Sequence, residues 1–281
     1  MTWTLLIGDR TYSSWSLRGW LLFAAFDRAV EVVQHRMYSD ELAEALRGMG
    51  SGSRLVPQMK QGDTVVWDTL AMAETLAEDS PAMWPAGAGD RARARAIVAE
   101  MHSGFTALRA DCTMNLAHVY EGFQPSDAVR ADLARIEELW GAPERWLFGD
   151  YSIADVFYAP VATRIVTYDL PVSDAARAYA ERHLAHLPFR QWRAMGQAEN
   201  YVQPGYDLDL PTRPWPGERL PARAVEGGTP VNETCPYSGK PVQADSLGEF
   251  DGRIIGFCNP FCRDKSVADP GAWPKLAPYL A

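Results

Sequence analysis

The sequence lacks any apolar run near the roughly 20 residues that a membrane-spanning helix needs, so we expect no membrane partner. Its first residues have a short apolar stretch without a basic segment before it or a small-residue cleavage site after it. This argues against a secretory signal and favours a cytoplasmic location. Basic residues are also few: 27 Lys and Arg stand against 36 Asp and Glu, and the net charge is −9. Because a nucleic-acid-binding surface needs clustered cations, we expect no nucleic-acid partner.

Cysteine is scarce, with four residues in a chain of 281. Three of them, Cys235, Cys258 and Cys262, lie in the last fifth of the chain. This crowding indicates a local site and not a disulfide framework. All five histidines precede residue 187, so the tail offers thiols without imidazole groups.

What the sequence does contain is a regular succession of strand and helix patterns over its first 80 residues. The order is βαβα followed by ββα, which is typical of a thioredoxin-like α/β domain. The predicted strands are 3–7, 30–35, 55–59 and 64–67, and the predicted helices are 14–26, 39–46 and 69–78. Proline is normally excluded from strand interiors, so we expect Pro57 at a sheet edge or in a cis peptide.

Beyond a Pro- and Gly-rich linker the pattern changes to longer helical segments, which predict an all-α region. A stretch rich in Pro, Gly and Arg then indicates an extended linker or a wrapping loop. The predicted helices are 90–111, 126–139, 153–168 and 174–184. The predicted division of the chain is 1–80, 88–202, 203–228 and 229–281.

Three local patterns in the N-terminal part bear on chemistry. Residues 12–18 read YSSWSLR, Val56-Pro57 precedes a hairpin, and Asp68-Thr69 opens the third helix. Taken singly, a serine or aspartate before a helix is more often a simple cap, and a lone proline is more often a turn residue. Their joint occurrence in one βαβαββα unit is more specific.

Together these patterns resemble a cytosolic glutathione transferase over about the first 200 residues, closest to the serine-dependent bacterial and zeta-type members. Residues 12–18 are similar to the Ser-Ser-x-Ser-x-Arg signature of the zeta type, with Trp15 where a cysteine is usual. The resemblance implies a thioredoxin-like N-terminal domain, an all-α C-terminal transferase domain and a homodimer. It also implies glutathione as the cofactor and conjugation or isomerisation of a small electrophilic substrate.

The resemblance assigns roles to particular residues. Ser13, or alternatively Ser14, would donate a hydrogen bond to the glutathione thiolate at a positive helix N-terminus. The main chain of Val56, beside its cis proline, would pair with the cysteinyl part of glutathione. Asp68 would pair with the γ-glutamyl ammonium, and Thr69 would bind the γ-glutamyl carboxylate.

Two further expectations concern the helical part. Ser152 and Asp155 form a predicted capping box that we assign to folding and not to catalysis. The substrate pocket is expected where the helical part meets the first helix. Its candidate residues are Trp15, Met114, His118, Tyr120 and Tyr168.

The tail has the spacing Cys-x22-Cys-x3-Cys and resembles the YHS and TRASH metal-binding modules, which implies a small zinc-ribbon-like fold. Cys235, Cys258 and Cys262 would hold zinc, and Ser238 stands where a fourth cysteine would complete the site. The alternative is that the metal site has decayed into a small apolar module. A second functional hypothesis follows, in which the chain is a non-catalytic glutathione- or metal-binding protein with a metal-sensing or metal-delivery tail.

Overall fold

The computed structural model describes residues 2–217 and 220–280, and these residues separate into two units. The first unit comprises the chain up to Leu184 together with Gln203–Pro214. The second comprises Ala185–Val202 together with the chain from Trp215 onward. Among the described helices, none is long and apolar enough to cross a membrane.

A four-stranded mixed sheet with the order β2-β1-β3-β4 begins the first unit. The central strand β1 pairs in parallel with β2 and antiparallel with β3, and β3 forms a hairpin with β4. The bounds are β1 Trp3–Ile7, β2 Val30–Gln34, β3 Gln58–Gln61 and β4 Thr64–Trp67. The sheet confirms the predicted thioredoxin-like order of strands.

Each helix of this α/β part begins at a side chain that accepts a backbone N–H. Ser13 caps α1, Ser39 caps α2 and Asp68 caps α3. The bounds are α1 Ser14–Ala24, α2 Asp40–Met49 and α3 Thr69–Asp79. Helix α2 ends at Gly50, whose φ of 84° lies in the left-handed region that glycine adopts without strain.

The Val56–Pro57 peptide bond is cis, which is one of the two alternatives that the sequence left open. The predicted strand 55–59 begins only at Gln58, so Pro57 takes no place in the ladder of β3. This resolves the conflict between a proline and an interior strand, because the residue without an N–H lies just before the strand.

The rest of the first unit is helical except for one short strand pair. Its helices are α4 Ala88–Ser103, α5 Thr106–Asp111, α6 Asp127–Trp140, α7 Ile153–Thr167 and α8 Asp174–Ala185. All fifteen residues of α7 are buried, and it packs against both α1 and α4. Strand β5 (His118–Tyr120) pairs antiparallel with β6 (Thr212–Pro214), so part of the expected linker is held in the first unit.

The prediction of one continuous helix over 90–111 is wrong. The helix ends at Ser103, where a side chain on Gly104 would meet the Glu100 carbonyl oxygen at 2.6 Å. Phe105 then adopts a left-handed φ of 53° before α5 begins. A single glycine inside a helical pattern does not reveal such a break, because helices tolerate glycine at a modest cost.

The second unit combines a helix from the middle of the chain with the cysteine-rich tail. Helix α9 (Leu187–Glu199), which the sequence analysis did not predict, packs against α10 (Pro260–Ala268). The strands β7 Ala222–Val225, β8 Leu247–Phe250 and β9 Arg253–Gly256 form an antiparallel sheet in that order, and α11 covers Ala277–Leu280. The predicted hairpin turn at Asp251-Gly252 joins β8 and β9, with both residues at positive φ.

Candidate functional site

A cavity of about 670 Å³ lies in the first unit, beside the N-terminus of α1. The cavity wall includes residues from the start of α1, from α2, from the loop before Pro57, and from α5 and α7. The α/β part and the helical part therefore both contribute to one space. This is the arrangement in which a cofactor and a second substrate can meet.

Ser13 and Ser14 both line this cavity, but their hydroxyl groups differ in their partners. The buried Ser13 is the N-cap, and its Oγ accepts the Ser16 N–H at 3.2 Å and lies 2.8 Å from Ser16 Oγ. Ser16 Oγ in turn accepts the Gly8 N–H at 3.0 Å. Ser14 is the first residue of the helix, and no hydrogen bond in the described part of the chain involves its hydroxyl.

The cis proline lies directly under α1. Val56 lines the cavity, while Pro57 is buried. A side chain at Gly19 of α1 would come within 2.7 Å of the Pro57 ring, so the helix can come this close only because that position is glycine. Close packing of this kind holds Pro57 against α1, and the neighbouring Val56 lines the same cavity as the first residues of that helix.

Asp68 and Thr69 lie at the start of α3 and are not part of the cavity wall as described. The carboxylate of Asp68 already has two partners, since Oδ1 accepts the Leu70 N–H at 2.8 Å and Oδ2 lies 3.0 Å from His102 Nε2. Thr69 is fully buried, and its hydroxyl has no hydrogen-bond partner among the described residues. The His102 ring contacts Trp15 at the cavity, with the ring centroids 5.2 Å apart.

The residues suggested for the substrate pocket divide into two groups. Trp15 and Met114 line the cavity, whereas His118, Tyr120 and Tyr168 are absent from its described wall. His118 and Tyr120 instead face Asp207, at 3.6 Å and 3.0 Å. These two residues lie in β5, which pairs with β6, and that long-range pairing is not visible in the sequence.

The basic residues of the cavity were not predicted from the sequence. Arg54, Arg109 and Arg164 all line it. Arg164 did leave a signal, because it is the one basic residue in the otherwise apolar pattern of α7. Arg109 left no such signal in the sequence, because a basic residue in a short amphipathic helix is ordinarily solvent-exposed.

The three tail thiols come together in the second unit, as their spacing predicted. The Sγ atoms of Cys235, Cys258 and Cys262 all lie within 4.8 Å of one another. Cys258 follows β9, and Cys262 lies in the first turn of α10. Cys235 opens a turn that is closed by a 2.9 Å hydrogen bond from the Gly239 N–H to the Cys235 carbonyl.

The surroundings of these sulfurs favour the thiolate form at one of them. Burial acts to raise the pKa of Cys235, but N–H donors from Tyr237, Cys258 and Ser238 outweigh it and bring that pKa to about 7. Burial and the neighbouring thiols instead raise the pKa of Cys262 to about 12. The Ser238 hydroxyl lies 3.2 Å from Cys258 Sγ, so serine is beside the thiols where a fourth cysteine would be expected.

No protein-family model and no curated protein matches this chain. Solved structures do match. A glutathione transferase homologue from Burkholderia gl BGR1, with glutathione bound, is 24% identical, with a TM-score of 0.54 over 70% of this chain and 98% of that one. The theta class glutathione S-transferase from Xanthomonas axonopodis pv. citri, also with glutathione bound, is 17% identical, with a TM-score of 0.53 over 68% and 96%.

A third similar structure is maleyl pyruvate isomerase, a bacterial glutathione S-transferase of the zeta class. It is 22% identical, with a TM-score of 0.51 over 67% of this chain and 95% of that one. These matches show that about two thirds of the chain has the glutathione-transferase fold, as the sequence predicted. Because the sequence identities are 17% to 24%, these matches establish the fold and not the chemistry.

Proposed function

We propose that this chain is a glutathione-dependent enzyme that activates the thiol of glutathione at the N-terminus of α1 and uses it on a small electrophile. The observation that carries the proposal is one cavity lined by Ser13, Ser14 and Val56, with the cis Pro57 packed directly beneath α1. Glutathione bound along Val56 would place its sulfur at the helix N-terminus, where partial positive charge favours an anion.

Ser13 is the proposed thiolate donor, and Ser16 is proposed to position it. Ser13 keeps its proton and donates a hydrogen bond to the sulfur, as an oxyanion donor does. The hydrogen bond that Ser13 now shares with Ser16 need not be lost, because the Ser16 hydroxyl carries its own proton and can donate back. Ser14 is the alternative donor, and its hydroxyl would have no existing hydrogen bond to another described residue to give up.

The rest of glutathione is proposed to bind along the sheet edge and at α3. The Val56 main chain would pair with the cysteinyl unit. The unpartnered hydroxyl of the buried Thr69 would donate to the γ-glutamyl carboxylate. Asp68 would pair with the γ-glutamyl ammonium through the carboxylate that also contacts His102.

The bound thiolate can react in two ways with an electrophilic carbon. In conjugation, sulfur forms a C–S bond and a leaving group departs with its electron pair. In isomerisation, sulfur adds to a C=C bond, rotation follows, and the same C–S bond breaks to return the thiolate. Disulfide exchange is not favoured, because burial raises the pKa of Cys112, the cysteine of this unit, to about 12.

A turnover assay tests this proposal. With glutathione and 1-chloro-2,4-dinitrobenzene, we expect the protein to raise the rate above that of the uncatalysed reaction. Replacing glutathione by cysteinylglycine, which lacks the γ-glutamyl group, should lower kcat/KM about tenfold or more, because charged contacts are lost. Glutathione binding without turnover of this aryl chloride or of an α,β-unsaturated ketone would contradict the proposal and favour the non-catalytic alternative.

We also propose that Cys235, Cys258 and Cys262 hold zinc. Tetrahedral zinc with Zn–S bonds of about 2.3 Å places sulfurs about 3.8 Å apart, so three sulfurs within 4.8 Å fit after a small contraction. Ser238 is a poor zinc ligand, which leaves a fourth position for water, a carboxylate or a partner's ligand. A bound zinc would connect the Cys235 turn to β9 and α10 and add to the folding free energy of this unit.

Elemental analysis of freshly purified protein tests the zinc proposal. We expect about one zinc per chain, lost in Cys258→Ser and retained in the matched control Cys112→Ser. The proposal would be contradicted if protein purified in chelator-free buffers contained no zinc. The expected homodimer, the cytoplasmic location and the predicted domain boundaries stay predictions.

A further inference from the structure

The thiol cluster of the second unit supplies three zinc ligands where a closed tetrahedral site needs four. Its members are Cys235, Cys258 and Cys262, and in the part of the chain that the structure describes no histidine, aspartate or glutamate joins them. Closed four-ligand zinc sites are structural, whereas sites with three protein ligands keep a position for a molecule from solvent. The composition of the cluster therefore fits an open zinc centre better than a closed one.

The cluster is accessible from one side. Cys235 is buried, whereas Cys258 and Cys262 are both partly exposed. The exposed Ser238 has its hydroxyl 3.2 Å from Cys258 Sγ, so the place that a fourth cysteine would take holds a small side chain that binds zinc poorly. A ligand from solvent can therefore reach the thiols without displacing a buried side chain.

Hydrogen-bond donors surround the sulfur of Cys258. The Ser238 hydroxyl is one of them, and the Asn259 side-chain amide is a second, with its Nδ2 3.3 Å from that sulfur. Asn259 is itself held in place, because its Oδ1 accepts the Cys262 N–H at 2.8 Å as the cap of α10. Donors of this kind stabilise negative charge on sulfur, which an anionic zinc–thiolate group requires.

Lysine is concentrated around the same cluster. The chain has four lysines, and three of them, Lys240, Lys265 and Lys275, belong to the second unit. Lys265 Nζ lies 3.9 Å from the centre of the Tyr237 ring, and Lys275 Nζ lies 3.4 Å from the Tyr237 carbonyl oxygen. The Lys240 carbonyl accepts the Cys235 N–H at 2.8 Å. Three lysines therefore adjoin the turn that carries the first thiol.

These lysines suit a ligand that brings further negative charge. Three thiolates already outnumber the two positive charges of a zinc ion, so a fourth thiolate is costly unless cations lie nearby. Neither Lys240 nor Lys275 has a carboxylate partner in the described part of the chain, and both are exposed. Their ammonium groups are thus available to the carboxylates of a small acidic molecule.

We infer that zinc at this cluster keeps its fourth position open and binds a small anionic thiol there, with glutathione as the occupant. The inference rests on the proposed zinc site and is independent of the catalysis proposed at α1. On binding, the thiol gives its proton to solvent, a zinc–sulfur bond forms and the weaker ligand at that position leaves. A thiol suits the position because zinc binds sulfur well and deprotonates a coordinated thiol at neutral pH.

Cobalt(II) in place of zinc tests the inference in the full-length chain, because zinc itself has no visible spectrum. The thiolate-to-cobalt charge-transfer absorption grows with the number of bound thiolates. Adding glutathione should therefore raise it saturably by about one third, as three thiolates become four. S-methylglutathione has no free thiol and should leave the spectrum unchanged.

Ser238→Cys supplies the fourth thiol from the chain itself. Its cobalt spectrum without added thiol should match that of the unaltered protein with glutathione, and added glutathione should no longer change it. Cys112→Ser is the matched control, because Cys112 is a buried thiol of the first unit, outside the cluster. This variant should respond to glutathione as the unaltered protein does.

Lys275→Gln tests the preference for an anionic thiol. It should weaken glutathione binding roughly threefold, as for a charge contact at the surface, and leave binding of the neutral 2-mercaptoethanol unchanged. Lys60→Gln is the matched control, since Lys60 is the fourth lysine of the chain and lies in β3 of the first unit. It should change the binding of neither thiol.

The outcomes separate this inference from the two proposals above. Cobalt uptake without a response to glutathione, or loss of cobalt to added glutathione, would overturn the inference and leave the zinc proposal standing. A chain that takes up no cobalt would overturn both. A saturable response to glutathione in a protein without turnover would contradict the proposed enzyme and leave the open zinc centre standing.

Discussion

Ser13→Ala is expected to lower kcat/KM for glutathione conjugation by roughly 10²-fold, the effect of removing one donor from a developing or bound anion. The loss should fall on thiolate formation, because Ser13 Oγ lies at the N-terminus of α1 and lines the cavity. At pH values high enough to ionise glutathione without help, the difference between variant and parent should shrink. Steady-state rates measured across a pH series give this comparison.

Two variants separate the donor role of Ser13 from its capping role. Ser126→Ala removes an equivalent N-cap from α6, outside the described cavity wall, and should change kcat/KM little. If Ser13 is the donor, Ser14→Ala should lower kcat/KM only a few-fold. This is much less than the effect of removing the main donor to the anion. A larger loss in Ser14→Ala than in Ser13→Ala would assign the role to Ser14.

Asp155→Ala is expected to destabilise the first unit by about 3 kcal/mol, because it removes the acceptor of several buried hydrogen bonds at once. Asp155 accepts the Ser152 N–H at 2.9 Å, the Leu147 N–H at 3.0 Å and the Tyr179 hydroxyl at 2.8 Å. The capping box thus connects the start of α7 to a neighbouring loop and to α8. Thermal unfolding should shift downward by roughly 6 to 12 °C for a unit of this size.

Asp127→Ala is the matched control for this prediction. Asp127 is the first residue of α6, is exposed, and supports its helix mainly through the helix dipole, so its loss should cost about 0.5 kcal/mol. Activity per folded molecule should be preserved in Asp155→Ala below its melting temperature. An unchanged melting temperature in Asp155→Ala would contradict the folding role.

The fold of the first 80 residues could be predicted because its signals are local. The helices begin at side-chain caps, and Gly50 ends α2 where the sequence is rich in glycine. Pro57 was informative for the same reason, since a proline in a strand pattern leaves few alternatives. In the cysteine cluster, one helical turn at the start of α10 brings Cys262 near Cys258, while Cys235 precedes both in the chain and is separated from them by the β8–β9 hairpin.

Features that depend on distant contacts could not be predicted in the same way. The break between α4 and α5 depends on Gly104 and on the backbone of Phe105, which the helical periodicity does not register. Helix α9 has buried Phe189 and Trp192 at helical spacing, so a signal existed there and was missed. Its place beside α10 depends on residues about 70 positions later in the chain.

In the candidate site, too, the residues in short local motifs could be predicted, and those brought together by distant contacts could not. The serines of α1 and the Val56-Pro57 pair are short motifs, and the sequence pointed to both. Arg109 and Arg164 lie about 100 and 150 residues from Ser13, and only the folded chain brings them to the same cavity. Sequence patterns could therefore indicate the proposed glutathione site more readily than the residues that would face a second substrate.

A glutathione titration that follows the thiolate ultraviolet absorption tests thiol activation by α1 most directly. At neutral pH, the protein should develop a saturable thiolate band that is absent for free glutathione at the same concentration. That band should be strongly reduced in Ser13→Ala and retained in Ser126→Ala. Saturable glutathione binding without any thiolate band, or an unchanged band in both Ser13→Ala and Ser14→Ala, would contradict activation of the thiol at the N-terminus of α1.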